Sequence, residues 1–437
     1  MVIVDTALQR RESEGRPVRV AVVGAGYMGR GIVLQILTGI PGMTVVAVAN
    51  RTLSEARRAY SQGGVEAVAM VSTVSELENA IANGRFSVTD DPELVCRADG
   101  IDAVLEATGE VDLGAQISLD AIRHGKHVVL MNAELDATVG PILKVYADQA
   151  GVVLSNSDGD EPGVAMNLYR FIDTIGYRPV MAGNIKGFID HYRTPDTQRA
   201  FAEKNRQKPK MITSFADGTK LSMECTVLSN ATGFGVKMRG MEGFDVDHVN
   251  DVLGVLEPDE LVAAGRIDYV LGAKPGTGAF VVGYNDEPAK KQYMQYFKMG
   301  DGPLYLFYTP FHLPHLQVPL TIARAVLFSD AAVTPIGAPV SDVVACAKRD
   351  LNAGEELDGI GGFTCYGAID DAELAVANNW LPMGLADRRR LARDVAKDQV
   401  IQLSDLESRP ENLLDRLRRE QTERFFESIP RVMGQAS

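Results

Sequence analysis

The sequence predicts an α/β protein: a mostly parallel sheet covered by helices, then a second α+β domain, then a small β-rich C-terminal domain. Three observations predict it. Strand-like apolar runs alternate with helical runs from Val18 onward, a glycine-rich turn joins the first such strand to the first such helix, and the texture changes at about Val164 to long polar loops with aromatic strands. A further change follows "TPIGAPVSD". At roughly 150 residues per domain, 437 residues suit about three domains, placed at 1–163, 164–330 and 331–437.

The elements follow in order. "VRVAVVG" reads as a buried strand, "GRGIVLQILTG" as a helix and "MTVVAVAN" as the next strand, which is a βαβ unit. "SEARRAYSQGG" is a helix, "IDAVLEATG" a strand, "GAQISLDAIRHG" a helix and "KHVVLMN" a strand. "GPILKVYADQAG" and "VVLSNSDGDEPG" repeat the pattern, so at least five strands are expected. Between the second and third of these strands lies a longer stretch, "GGVEAVAMVSTVSELENAIANGRFSVTDDPELVCRA", expected to be an insertion over one end of a bound ligand.

Composition narrows the function classes. Hydrophobic residues make up 46%, as in ordinary globular chains, and no run approaches the ~18 apolar residues that span a bilayer. The first residues lack the apolar core of a secretory signal, so a cytoplasmic location is expected, with no membrane partner. A net charge of −14 opposes a general polyanion-binding surface and hence nucleic acid. Cys96, Cys225, Cys346 and Cys365 form no C-x-x-C pair and are expected to be reduced, buried thiols.

Gly24-Ala25-Gly26-Tyr27-Met28-Gly29 fits G-x-G-x-x-G in the context the motif needs, after a strand and at the start of a helix. Gly24 serves the turn, Gly26 the approach of a pyrophosphate and Gly29 the packing of helix on strand, which marks a Rossmann-type dinucleotide domain. At the end of the second strand stands Asn50-Arg51-Thr52, where a carboxylate would select NAD by binding its ribose 2′-hydroxyl. Arg51 suits a 2′-phosphate instead, with Asn50 and Thr52 as neutral partners, so NADPH is the expected cofactor and reduction the expected direction. Ala107, Thr108, Gly109 and Asn132 lie at later strand ends and are expected near the nicotinamide; loop capping is the other reading of Thr108 and Asn132.

Asp158, Asp160 and Glu161 crowd one predicted strand end. Either they share a divalent cation, Mg2+ or Mn2+, or they form a solvated turn that caps the next helix. Downstream, Lys186, His191, Arg193, Lys204, Arg206, Lys208 and Lys210 precede Thr213 and Ser214. This is either a solvated basic face or a phosphate site in which the hydroxyls take part. Lys220 and Glu224 are spaced to share a helix face, with a surface ion pair as the plain alternative. His312 and His315, separated by a proline, are expected in a structural loop.

"VRVAVVGAGYMGRG" with "KHVVLMNAELDATVGPIL" is similar to the cofactor domain of homoserine dehydrogenases, except that Glu134 stands at or near the place of their lysine. The segments "AKRDLNAGEELDGIGG" and "LPMGLADRRRLARDVAKDQVIQLSDLE" look like a SAF domain. Together with "SNSDGDEPG" and "FADGTKLSMECTVLSNATG", the chain resembles the type II, or DXR-like, 1-deoxy-D-xylulose 5-phosphate reductoisomerases over nearly its whole length. The resemblance implies NADPH-dependent conversion of that sugar phosphate to 2-C-methyl-D-erythritol 4-phosphate in isoprenoid precursor synthesis, inhibition by fosmidomycin, and a homodimer. Fitted to that chemistry, our own reading of the clusters gives Asp158, Asp160 and Glu161 a chelated metal that polarises the substrate carbonyl, with Asp160 and Glu161 acting in catalysis as well. Lys186 or Lys220 would donate to the developing alkoxide, while Arg193, Lys204, Lys208 and Ser214 would hold the phosphate. Two rival readings are a homoserine-dehydrogenase-like oxidoreductase acting on an unbranched carbonyl or alcohol, and a cofactor-binding regulatory protein.

Overall fold

In the computed structural model, residues 3–427 are described. The chain forms two compact units, one built from residues up to 163 with 313–334, the other from 164–312 with 335 onward. The first unit opens with α1 (Val4–Ser13), β1 (Val18–Val23), α2 (Tyr27–Gly39), β2 (Met43–Ala49) and α3 (Leu53–Gln62). It continues through β3 (Val68–Met70), α4 (Val74–Ala82), β4 (Phe86–Thr89), α5 (Pro92–Arg97), β5 (Ala103–Glu106) and α6 (Val111–Arg123). β6 (His127–Leu130), α7 (Ala133–Ala150) and β7 (Leu154–Asn156) complete the sheet.

Its seven strands are ordered β3-β4-β2-β1-β5-β6-β7 and pair in parallel throughout. Valine- and alanine-rich runs such as Val18–Val23 suit strands buried on both faces, because no alternation is needed where helices cover both sides. The stretch expected to be an insertion over a ligand supplies β3 and β4, which extend the sheet outward from β2. Short β-forming runs at Val68 and Phe86 found an open strand edge there. The order reverses at β1 and β5, and in such sheets ligands bind beyond the carboxyl ends of the strands at that point.

α8 (Glu161–Thr174) leads from the first unit into the second. There follow β8 (Arg178–Lys186), α9 (Pro195–Lys204), α10 (Pro209–Ala216), α11 (Thr219–Thr232), β9 (Phe244–Asp245), α12 (Pro258–Ala264) and β10 (Arg266–Leu271). β11 (Ala279–Tyr284), α13 (Pro288–Tyr296) and β12 (Leu304–Thr309) close a five-stranded mixed sheet, ordered β12-β11-β8-β10-β9. Val180, Ile185, Val270, Phe280 and Val282 form its core.

α14 (Pro314–Phe328) then returns to the first unit, where Val318, Ile322 and Ala323 join the core of α2 and β1. The expected second domain, 164–330, thus loses its last helix to the first. Its apolar face repeats at helical spacing, but nothing local in the sequence says which core it enters. β13 (Ser341–Ala347), β14 (Cys365–Asp371), α15 (Ala372–Ala377) and α16 (Leu413–Phe426) complete the second unit, with β13 and β14 as an antiparallel pair. The four cysteines are buried and form no disulfide, and no described helix is long and apolar enough to cross a membrane.

One buried acid gives the first unit a pH dependence. Asp136, in the first turn of α7, accepts from Asn156 Nδ2 at 3.2 Å, yet burial raises its carboxyl to about 7. Below about pH 4 it is protonated in both folded and unfolded chains; as pH rises, the unfolded chain ionises first, so stability falls through pH 4–7. Asp136→Asn is therefore expected to stabilise the protein at pH 8 by about 2 kcal/mol or more and to be nearly neutral at pH 4. Urea midpoints at the two pH values check this.

Candidate active site

The nucleotide loop is set by close backbone packing. Gly24 has φ +105°, and a Cβ there would lie 2.5 Å from Ala107 O; a Cβ on Gly29 would lie 1.9 Å from Gly24 O. α2 therefore starts directly on the turn, as the third glycine of the motif permits. The space over Gly26, the N-cap of α2, is open, as a pyrophosphate held by helix N–H groups requires. Tyr27 is exposed and meets His315 edge-on at 6.5 Å between ring centroids. Met28 follows in the first turn of α2, half-buried. His312 lies in a loop as expected, but His315 is in the first turn of α14: Pro314 takes the first helical position, where its missing N–H is harmless.

Asn50 proves to be a brace for this loop. Its Oδ1 accepts the Ala25 N–H at 2.9 Å, and its Nδ2 donates to Thr52 O at 2.9 Å. Arg51 and Thr52 are exposed, and no side chain caps the first turn of α3. A positive helix end beside a guanidinium suits an anionic group. Arg30 adds to this corner, bonding Ala25 O at 2.9 Å and Glu55 at 2.8 Å. It stands on α2, not at the β2 end that carries Asn50, Arg51 and Thr52.

At the other end of the crevice, β5 closes on Glu106, a carboxylate with no exposed surface. Burial raises its pKa, opposed by the Thr108 hydroxyl and N–H, which both donate to Oε1. Thr108 is thereby oriented by an acid that sequence reasoning passed over, although a glutamate ending the apolar run "IDAVLE" is itself a signal. Gly109 turns the chain with φ +70°, directly after Ala107 and Thr108. Asn132 is the N-cap of α7: its Oδ1 accepts the Leu135 N–H at 3.1 Å, and its Nδ2 donates to Glu110 O at 3.3 Å.

The acidic turn is buried rather than solvated. Asp158, Asp160 and Glu161 are 3%, 7% and 3% exposed. Asp158 belongs to the scaffold: its N–H donates to Thr321 Oγ1 at 2.6 Å, and Arg324 of α14 approaches its carboxylate at 3.8 Å. That guanidinium answers part of its charge, and Asp158 is not among the carboxylates that lie closest together here. Asp160 and Glu161 place carboxylate oxygens within 4.8 Å of each other. Two hard oxygen donors so close fit a divalent cation.

In the second unit, β8 ends on Lys186 and α11 begins at Thr219 after Gly218, a left-handed residue with φ +84°. A Cβ on Gly218 would also crowd His191 at 3.3 Å. Glu224, 2% exposed, gathers three donors: Asn184 Nδ2 at 2.8 Å and Lys186 Nζ at 3.2 Å on Oε2, and Lys220 Nζ at 3.7 Å from Oε1. Lys220 and Glu224 share a helix face as expected, and the pair is an internal anchor rather than the surface ion pair of the alternative reading, because α11 is packed on nearly every side. Two ammonium groups sharing one buried carboxylate are held in place and can donate protons or neutralise an oxyanion.

The basic segment is partly committed elsewhere. Arg193 pairs with Asp190 at 3.0 Å and stacks on Phe188. Lys204 ends α9 and Lys208 precedes α10, both exposed. Thr213 and Ser214 donate their hydroxyls to Pro209 O and Met211 O within α10, so they are not the open phosphate ligands expected. No hydrogen bond or ion pair among the described residues joins Lys204 or Lys208 to the Glu224 cluster.

Comparison with known proteins agrees with this division. Residues 24–152 match the family model described as homoserine dehydrogenase, NAD binding domain, and residues 159–318 match that of oxidoreductase DRL, catalytic domain. A homoserine dehydrogenase of Methylobacillus glycogenes is 30% identical over 122 residues, 28% of this chain and 26% of that protein. The match thus spans about a quarter of the relative's length. A probable dehydrogenase from Thermotoga maritima aligns over 73% of this chain and 91% of its own, at 12% identity and a TM-score of 0.42. Scyllo-inositol dehydrogenase from Lactobacillus casei, with bound NAD(H) and scyllo-inositol, aligns over 61% and 73%, at 15% identity and a TM-score of 0.35. Residues 24–152 thus resemble the NAD-binding domain of homoserine dehydrogenases, and residues 159–318 a DRL-type oxidoreductase catalytic domain.

Glu224→Gln keeps an acceptor for Asn184 but leaves Lys186 and Lys220 without their shared charge. A loss of about 1–3 kcal/mol in stability is expected, because the pair is largely buried. Chemical denaturation checks this; an unchanged midpoint would return the pair to the status of a surface contact.

Proposed function

We propose that the protein reduces and rearranges a phosphorylated keto sugar with NADPH, converting 1-deoxy-D-xylulose 5-phosphate to 2-C-methyl-D-erythritol 4-phosphate. The observation that carries the proposal is the pair Lys186 and Lys220 on buried Glu224, within the part of the chain that matches a DRL catalytic domain. A dehydrogenation of a simple alcohol needs one proton acceptor. A retro-aldol cleavage and realdolisation followed by reduction needs donors for more than one oxygen, and two anchored ammonium groups meet that need. Asp160 and Glu161 would hold Mg2+ or Mn2+, which supplies Lewis-acid polarisation of the substrate's carbonyl when bound. Arg193, Lys204 and Lys208 would attract the phosphate. Residues 331–437 would be the SAF-type module, and the working form a cytoplasmic homodimer.

The second reading is oxidoreduction of an unbranched carbonyl or alcohol, favoured by the homoserine dehydrogenase likeness of residues 24–152. Glu134 in the first turn of α7, at or near the place that the resemblance gives to the lysine of those enzymes, weighs against homoserine itself.

Two measurements test the proposal. Arg51 beside the open end of α3 is proposed to pair with the 2′-phosphate, so Arg51→Ala should weaken NADPH about ten- to a hundredfold and leave NADH nearly unchanged. Fluorescence titration of both proteins with both cofactors reads this, and equal NADPH affinity would remove Arg51 from the site. With the phosphorylated sugar, NADPH and Mg2+, the wild type should oxidise NADPH, form a branched product visible by NMR, and be inhibited by fosmidomycin. Turnover of homoserine or another unbranched alcohol, with none of the sugar phosphate, would transfer the assignment to the second reading.

A further inference from the structure

The C-terminal part of the second unit grips the segment that carries the basic residues and the start of α11, and Lys348 is the centre of the grip. Lys348 follows β13 and is 5% exposed. Its ammonium donates to three oxygens: Arg193 O at 2.7 Å, Asp217 Oδ2 at 2.8 Å and Gly362 O at 2.7 Å. All three of its protons are thus used, none on solvent. Asp217, with no exposed surface, uses its other oxygen to accept the Thr219 N–H at 2.8 Å, at the first residue of α11.

Neighbouring contacts run the same way. The Thr219 hydroxyl accepts the Gly367 N–H of β14 at 2.8 Å. His191 stacks on Tyr366 at 4.6 Å and 13° and bonds Asp217 O through Nδ1 at 2.8 Å. The Tyr192 hydroxyl donates to Asp398, and Lys397 covers its ring at 3.6 Å. Gly361 lies so close to α10 that a Cβ would come within 2.0 Å of Lys210 O. Residues 191–193, 210, 217 and 219 are thereby held by residues 348, 361–362, 366–367 and 397–398.

We propose that Lys348 is a positioning residue for the substrate site: by fixing the Arg193 carbonyl and the Asp217 turn, it sets where Arg193 and Lys220 stand. Lys220 directly follows Thr219, so a shift in the first residue of α11 moves its ammonium relative to Lys186 on β8. The C-terminal domain then acts in substrate binding without touching substrate. The inference rests on the proposed phosphosugar reading for its kinetic outcome, while its structural outcome is independent of that reading.

The test uses the full-length protein as Lys348→Met and as the double variant Lys348→Met/Asp217→Asn, in which no buried charge is left unpaired. Hydrogen–deuterium exchange should rise in residues 190–219 of both variants. KM for 1-deoxy-D-xylulose 5-phosphate should rise about tenfold or more with a fall in kcat, because small misplacements of positioning groups have effects of that size. NADPH affinity should stay within about twofold, the cofactor loop lying on other elements. The double variant should regain thermal stability without regaining KM. Recovery of KM and kcat together with stability, or unchanged exchange in 190–219 in both variants, would overturn the proposal. If wild-type protein does not turn over the sugar phosphate, the functional reading fails, and the exchange measurement alone decides whether Lys348 tethers the segment.

Discussion

The arrangement of the second unit depends on one buried carboxylate. Glu224 sits inside α11, and its charge is tolerable only because Lys186, Lys220 and Asn184 converge on it. The requirement works in both directions. Two ammonium groups within reach of each other repel unless an anion lies between them, so Glu224 decides how close the two lysines can stand. β8 and α11 are far apart in sequence, and this cluster fixes the end of one strand against the first turn of one helix. The same side chains that make the packing possible are therefore the ones available for proton donation.

The first unit is organised by backbone contacts instead. Gly24 and Gly29 let the turn, α2 and the β5 end approach within distances that any side chain would forbid. Asn50 then takes the Ala25 N–H, so that the loop is braced from the end of β2. What remains for a cofactor is an open approach at Gly26, an uncapped helix start beside Arg51, and the Glu106–Thr108 turn at the opposite side of β1. Each is a place where polar backbone or a buried acid is fixed in advance, as a preorganised nucleotide site demands.

Much of the fold was legible because its signals are local. Uniform valine and alanine runs announce parallel strands, the glycine spacing announces the nucleotide turn, and Lys220 and Glu224 announce a shared helix face. The candidate site was less legible because its decisive partners are remote. Within "SDGDE" nothing shows that Asp158 also meets Thr321 and Arg324, more than 160 positions on. Thr213 and Ser214 looked like anion ligands, because a sequence shows a hydroxyl but not the carbonyl it faces. Lys348 carries no motif at all. Its importance comes from three oxygens supplied by Arg193, Asp217 and Gly362, which only folding brings together.

If Glu224 makes Lys186 and Lys220 a single working unit, their contributions to catalysis should not multiply. The direct measurement is a double-mutant cycle with Lys186→Met, Lys220→Met and the double variant, reading kcat/KM for NADPH oxidation with the phosphorylated sugar. The account predicts that either single substitution lowers kcat/KM by at least about a hundredfold and that the double variant is little worse than the poorer single one, as found for residues that act as a unit. Independent effects that multiply in the double variant, or single variants with near-normal kcat/KM, would contradict it.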